Sequence, residues 1–306
     1  MFEYASNRFS LQVLAEVPGV LAVITDTLGT SYRTVGTMMG FGADGRRTGS
    51  LSSGCIEDDI ADRARTCLAT GKAMPLRYGT GSPFFDLKLP CGGGLSILLI
   101  PRPDPSVLRQ VLDLGHRRQR AVLSVGLTDG SLELVADTTP LPDRLAVVQE
   151  PELRFWVFGH GAEALSFALM TQAAGYDVTL FGQESLQADL SRIGTLNVQS
   201  VASFRSFACP SPDSRTAVTL FFHDHENEAR ILRQFLPSDA FYIGAQGSFA
   251  SRQLLLAELT ALGLDPPAIA RLNPRFGLIP SCRDPRTLAV SVMAHVLSLA
   301  EPDHTR

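Results

Sequence analysis

Apolar residues fall in two different rhythms along this chain. In the first half, short runs rich in β-branched residues alternate with turns: residues 20–27 end at Leu28-Gly29, and residues 34–42 close on Ala43-Asp44-Gly45. Residues 95–100 form a compact apolar run stopped by Pro101, and residues 121–127 and 132–136 flank Asp129-Gly130 as a hairpin. One clear helical pattern interrupts these strands, from about Cys55 to Leu68, with Gly71 as its stop. Pro140, Pro142 and Pro151 crowd a weakly periodic stretch that reads as a linker over residues 138–152.

The second half alternates strand and helix. Strands are expected at 154–158, 177–181, 216–222 and 240–244, and helices at 162–174, 227–235 and 249–262. A last helix starts sharply, with Asp284 as N-cap and Pro285 at the first helical position. Such alternation implies a parallel sheet with helices on both faces. The expected fold class is therefore α/β: a β-rich α+β N-terminal domain over residues 1–148 and a C-terminal Rossmann-like parallel-sheet domain over residues 149–306.

Composition narrows the functional classes. The formal net charge is −4, without the basic surplus of a nucleic-acid binder. An anionic ligand must then be held by local backbone dipoles or a few arginines. The first twenty residues lack a basic region followed by an apolar block, and the apolar stretch 288–300 is too short to span a bilayer. A cytoplasmic, membrane-free protein is expected. Five cysteines occur (Cys55, Cys67, Cys91, Cys209 and Cys282), an odd number without CxxC spacing, so a cysteine that matters here matters as a thiol.

Three segments carry candidate chemistry. Gly159-His160-Gly161-Ala162-Glu163-Ala164 follows a strand and opens a helix, the context in which GxGxxG/A presents N–H groups and a helix dipole to an anion. The acidic residue that binds ribose hydroxyls in dinucleotide sites is missing: Gly182 stands there, and Glu184 comes two residues late. Cys55 is placed in the first turn of its helix, where the dipole favours thiolate while Glu57, Asp58 and Asp59 oppose it. Cys91-Gly92-Gly93-Gly94 puts a second thiol in a glycine loop that exposes backbone donors, whereas Cys67 falls on an apolar helix face and reads as core. His223-Asp224-His225 follows a strand at the carboxyl edge of the sheet, and Gly244-Ala245-Gln246-Gly247-Ser248 is a further strand-to-helix turn on that edge. Two imidazoles around one carboxylate are a thin metal signature, and ligand contact or helix capping suits them better. No metal site and no catalytic residue is assigned.

Together these segments resemble the XdhC/CoxI family. Gly49-Ser50-Leu51-Ser52-Ser53-Gly54-Cys55-Ile56-Glu57 is similar to its G-S-[IV]-S-G-G-C-V-E stretch, with Ser53 for the first glycine of GGC, and Leu89-Pro90-Cys91-Gly92-Gly93 to its CGG motif. Residues 158–164 resemble its Rossmann loop, and His223-Asp224-His225 its T-H-D-H strand end. Tyr242-Ile243-Gly244 with Gly247-Ser248, then Arg271-Leu272 and Gly277-Leu278, resemble its Y-I-G-x-x-G-S and R-[LI]-x-x-P-x-G-L stretches. The resemblance implies an accessory protein, not an enzyme. Such a protein binds the molybdenum cofactor (molybdopterin), protects its sulfurated form and delivers it to a xanthine dehydrogenase-like molybdenum hydroxylase apo-enzyme. It further implies a homodimer, and a cysteine desulfurase as a second partner. Cofactor-binding residues carried over are Cys55, Cys91, Gly92, Gly159, His160, Gly161, Ala162, His223, Asp224, Gly244, Gly247 and Ser248. Two other readings stay open: an NAD(P)-dependent oxidoreductase, weakened by Gly182 and by the lack of YxxxK spacing, and a thiol sulfur carrier centred on Cys55 or Cys91.

Overall fold

The computed structural model describes residues 6–52, 54–82, 92–182, 196–204, 207–208, 210–222 and 227–300. Contacts divide the chain into two compact units, Met1–Pro151 and Glu152–Arg306.

The first apolar run becomes β1 (Gly19–Leu28), the centre of an antiparallel sheet completed by β2 (Met38–Gly42), β3 (Arg47–Gly49), β4 (Met74–Gly79) and β5 (Gly94–Pro101), in the order β3-β2-β1-β5-β4. Val20, Ala22 and Ile24 of β1 pack with Ile60, Ala64 and Cys67 of α2 (Glu57–Thr70). Leu21 and Val23 pack on the other face with α1 (Asn7–Glu16) and α3 (Pro105–His116). A strand segment covered on both sides carries apolar residues at successive positions, so residues 20–24 of β1 read as an unbroken run, which ends where Thr25 and Asp26 leave the covered part. A second sheet of β6 (Ala121–Gly126), β7 (Leu132–Val135) and β8 (Arg144–Gln149), in the order β7-β6-β8, contributes Leu123 and Val125 to the same core.

Four expectations need correction here. Among the described residues the unit holds three helices rather than one: α1 is capped by Ser6, whose hydroxyl accepts from Phe9 N–H at 3.2 Å, and α3 by Asp104, which accepts from Ser106 N–H at 2.8 Å ahead of Pro105. The strand expected over 34–42 begins only at Met38, because Gly36 at φ +88° and the Thr37 N–H to Thr34 carbonyl bond make a turn first. The expected linker contains β8, which pairs with β6 from Gly126↔Arg144 to Ala121↔Gln149. Finally, α2 starts at Glu57, not at Cys55, because Gly54 takes φ +102° and Ile56 is the N-cap.

In the second unit the alternation yields β9 (Arg154–Gly159), α4 (Ala162–Ala173), β10 (Asp177–Gly182), β11 (Asn197–Ser200), β12 (Thr216–Phe221), α5 (Glu228–Phe235), β13 (Tyr242–Ala245), α6 (Phe249–Ala261), α7 (Pro266–Ala270) and α8 (Pro285–Ala300). The strands form one parallel sheet ordered β11-β10-β9-β12-β13. Numbered within the unit this is 3-2-1-4-5, the doubly wound order of a Rossmann-like fold. Side chains of β9 alternate between two cores: Phe155 and Val157 join α4 and α8, while Trp156 and Phe158 join α5 and α6. Among the described residues, no helix is long and apolar enough to cross a membrane.

Candidate functional site

Parallel register brings three turns to one edge of the second unit's sheet. Gly159 pairs with Phe221 across β9 and β12, and Leu220 pairs with Ala245 across β12 and β13. The chain leaving β9, Phe222 after β12, and Gln246-Gly247-Ser248 after β13 therefore share the carboxyl edge, where open α/β sheets bind ligands. His223 and Asp224 follow directly but lie outside the described residues.

Each glycine of the first turn has its own reason. A Cβ on Gly159, at φ +148°, would stand 2.3 Å from the Phe221 carbonyl oxygen, so only glycine lets β9 and β12 exit this close together. Gly161, at φ +90°, is the N-cap of α4 and contributes no capping side chain. The first intrahelical bond runs from Leu165 N–H to the Gly161 carbonyl at 3.2 Å, so the N–H groups of residues 162–164 precede it. His160, Gly161 and Ala162 are exposed, with the His160 ring edge-on to Phe222 at 6.0 Å, and Ala164 is buried against the sheet. This is a backbone site for an anion. Gly182 ends β10 buried, its carbonyl accepting from Val201 N–H at 2.8 Å, and Glu184 lies outside the described residues.

At the second turn one expectation changes: Gly244 is a strand residue of β13, and the turn begins after Ala245. The glycine is needed for packing, since a Cβ there would stand 2.6 Å from the Tyr242 hydroxyl two residues earlier on the same face. Ser248 caps α6, its hydroxyl accepting from Ser251 N–H at 3.1 Å. Beside it opens a cleft of about 840 Å³ lined by Phe222, Gln246, Ser248, Arg252, Arg275 and Cys282, among others. Burial pulls the Arg252 guanidinium below the usual arginine range, and its Nη2 donates to the Leu272 carbonyl at 3.0 Å. Gln246 Oε1 is buried there and has no hydrogen-bond partner among the described residues.

The first unit gathers its own motif residues. β1 ends at Leu28, β4 ends at Gly79 and β5 starts at Gly94 at one end of the sheet, where Gly94 pairs with both Leu28 and Gly79. β3 also exits there, since Gly49 pairs with Met39 beside the Val23↔Met38 pair. The Ser50–Ile56 loop and Gly92 thus emerge at the same end; Cys91 lies outside the described residues. Gly92 takes φ +69° and its carbonyl accepts from the Thr80 hydroxyl at 3.2 Å. Cys55 is exposed and sits two residues before α2, so it does not occupy the first helical turn.

Glu57 organises that loop. Its Oε1 accepts from Ser50 Oγ (3.2 Å), Leu51 N–H (3.2 Å) and Ser52 N–H (2.8 Å), and its Oε2 from Ser52 Oγ (2.6 Å) and Ile56 N–H (3.2 Å). Burial alone would raise this carboxyl, but bonds from the Ser52 hydroxyl and from the Ser52 and Gly54 amides outweigh it and hold it down to about 2. From the sequence, Glu57 reads only as a charge at a helix end. Glutamate at the first helical position after a serine-rich loop is the signal that could have found it.

Two further motif residues are explained by packing. Arg271 donates to the Leu236 carbonyl (2.9 Å), the Ala240 carbonyl (2.6 Å) and the Ser238 carbonyl, tying the segment that follows α5. Gly277, at φ +98°, lies where a Cβ would meet Ser291 Oγ of α8 at 2.5 Å. Cys67 is fully buried, and burial pushes its thiol up to about 11. Among the described residues, no group of three or more His, Cys, Asp or Glu is arranged to hold a metal ion.

Comparison with known proteins joins the two units. The XdhC and CoxI family matches residues 13–79, and the XdhC Rossmann domain matches residues 155–296. Over 296 residues, 95% of this chain and 87% of the other, the sequence is 31% identical to molybdenum cofactor insertion chaperone PaoD of Escherichia coli (strain K12). It is 24% identical over 318 residues to a probable xanthine dehydrogenase subunit of Bacillus subtilis (strain 168), covering 91% and 92% of the two chains. A Bacillus halodurans crystal structure described as a xanthine dehydrogenase shares the fold, with a TM-score of 0.80 over 98% of each chain at 22% identity. The chain belongs to the XdhC and CoxI family.

Proposed function

We propose that this protein is a molybdenum cofactor chaperone that serves a xanthine dehydrogenase-like molybdenum hydroxylase, and that it is not itself an enzyme. The observation that carries this reading is the near full-length likeness to a molybdenum cofactor insertion chaperone. The xanthine dehydrogenase names of two other relatives support that class of client. On the same reading the protein protects the sulfurated cofactor before delivery, works in the cytoplasm as a homodimer, and meets a cysteine desulfurase as well as its client.

The cargo is a pterin bearing a phosphate and a dithiolene. The chemistry of the second unit fits the phosphate end: exposed residues 160–162, an N-terminus of α4 without a side-chain cap, and a neighbouring cleft of small-molecule size. Gly247 and Ser248 are further proposed contacts on that edge, and His223 and Asp224, outside the described residues, are proposed as contacts from the sequence motif alone. For the metal end this chain offers the thiols of Cys55 and Cys91, with Gly92 as a further proposed contact.

The test compares wild type with Gly161→Asp and Cys91→Ala for cofactor bound, then for activation of a cofactor-free molybdenum hydroxylase. An aspartate at the N-cap brings its own carboxylate to the α4 amides, so Gly161→Asp should lose at least about ten-fold in retention. Cys91→Ala should keep the phosphate anchor and lose delivery. Wild type that retains no cofactor, or Gly161→Asp that retains as much as wild type, would overturn the assignment in this form.

A further inference from the structure

We infer that Glu57 is the positioning residue of the Cys55 thiol: its carboxylate closes the Ser50–Ile56 loop into a ring and so fixes where that thiol is presented. The inference rests on the reading that Cys55 meets the cofactor, and it assigns the loop's order to one side chain. Besides the Gly54 amide, five donors converge on that carboxylate from three stretches of the loop: Ser50 and Leu51 at its entrance, Ser52 by both amide and hydroxyl, and Ile56 at its exit. Ile56 N–H also reaches Ser52 Oγ at 3.2 Å, so entrance and exit are joined a second time through the same pair. Cys55 is the residue immediately before that closure and is exposed, whereas Ser52 and Ile56 on either side of it are buried. The ring is anchored to the sheet end from outside, where Arg33 Nε donates to the Ser50 carbonyl at 3.2 Å.

The chemistry explains why glutamate is required. Each donor points inward at two oxygens that only an ionised carboxylate offers as pure acceptors. Glutamine keeps only one acceptor oxygen, and its NH₂ would face either the Ile56 amide or the Leu51 and Ser52 amides, placing donor against donor. Aspartate is one methylene shorter and cannot reach both ends of the loop from the first position of α2. An exposed thiol on an untied loop with glycine at position 54 would sample many orientations, and a ligand that needs one of them would bear the ordering cost on binding.

The experiment uses the full chain as wild type, Glu57→Gln, Cys55→Ala and the double variant. Hydrogen–deuterium exchange of segment 50–57 reads the ring, and molybdenum cofactor retained reads its use. Exchange should accelerate ten- to hundred-fold in both Glu57 variants, the range for lost charge-assisted bonds, and stay unchanged in Cys55→Ala. Cofactor retention should fall in Glu57→Gln to the level of Cys55→Ala, with no further fall in the double variant, because a residue acting through another is not additive with it. Ser52→Ala, which removes the hydroxyl's bond to Glu57 and its bond from Ile56 N–H but leaves the charge, keeps the test open where Glu57→Gln fails to fold; it should give an intermediate acceleration. Unchanged exchange in Glu57→Gln and Ser52→Ala overturns the ring. Additive losses overturn the positioning role and leave Glu57 purely structural. Wild type that retains no cofactor strikes the chaperone reading instead, and exchange then decides the ring by itself.

Discussion

Single atoms decide what the glycines at the β9–α4 turn do. At Gly159 the obstacle is the Phe221 carbonyl, part of a sheet strand that cannot move aside. At Gly161 a Cβ would meet only Glu163 Oε2, at 3.6 Å, so the cost of substitution is the φ of +90° alone. Gly159→Ala should therefore destabilise the folded chain by roughly 2–5 kcal/mol, overpacking and backbone strain together. Gly161→Ala should cost about 1–2 kcal/mol. Thermal unfolding of the two variants checks the order, and equal shifts would mean that the turn relaxes. The motif treats the two glycines alike; the structure makes the first a packing requirement and leaves the second free to face a ligand.

At the scale of an element, the start of α2 carries a pH signature. Glu57 titrates at about 2 in the folded chain against 4.5 for the ordinary group. A folded value below the unfolded one means that the stabilisation is complete above about 4.5 and is lost as the pH falls toward about 2. Discounted for the half-exposed position, it is on the order of 2 kcal/mol. The stability gap between wild type and Glu57→Gln should accordingly be constant near neutrality and shrink between about pH 5 and 2. Chemical denaturation at several pH values measures it, and a gap that persists at pH 2 would show that lost packing, not charge, is responsible. α1 and α3 teach a related lesson. Both start with the serine or aspartate cap that marks the last helix, and Leu11 with Leu14 and Leu108 with Val111 repeat at helical spacing toward the core, so a cap followed by even two such residues is a usable signal.

For the whole molecule, the Rossmann-like order raises the question of an ordinary dinucleotide. The position that would bind ribose hydroxyls is Gly182, whose carbonyl is already engaged by Val201 N–H. One missing charge-assisted bond weakens binding by roughly 1.5–3 kcal/mol, or ten- to hundred-fold. NADH should bind far more weakly than to a dehydrogenase of the same fold, with little fluorescence enhancement in a direct titration. Micromolar binding with clear enhancement would return the oxidoreductase reading.

Much of this architecture is local and therefore legible in the chain. A strand segment buried on both faces must be largely apolar, as residues 20–24 of β1, residues 155–158 of β9 and most of β12 are, and a helix must begin where a cap satisfies its first amides, as at Asp284. The glycine loop at 159–164 and the loop holding Cys55 could be read for the same reason, because their demands fall on consecutive residues. Short or polar strands could not: β3, β4, β8 and β11 exist because neighbours supply their hydrogen bonds, and β8 forms within a proline-rich stretch whose own pattern argues for a linker. Likewise Gly244 looks like a turn residue until Tyr242 is seen lying over it, and Cys55 looks helical until Glu57 draws the preceding loop around its carboxylate. Sequence fixes what each residue needs from its immediate neighbours. Which distant strand, ring or carbonyl meets that need depends on the closed fold, where a few tenths of an ångström separate contact from collision.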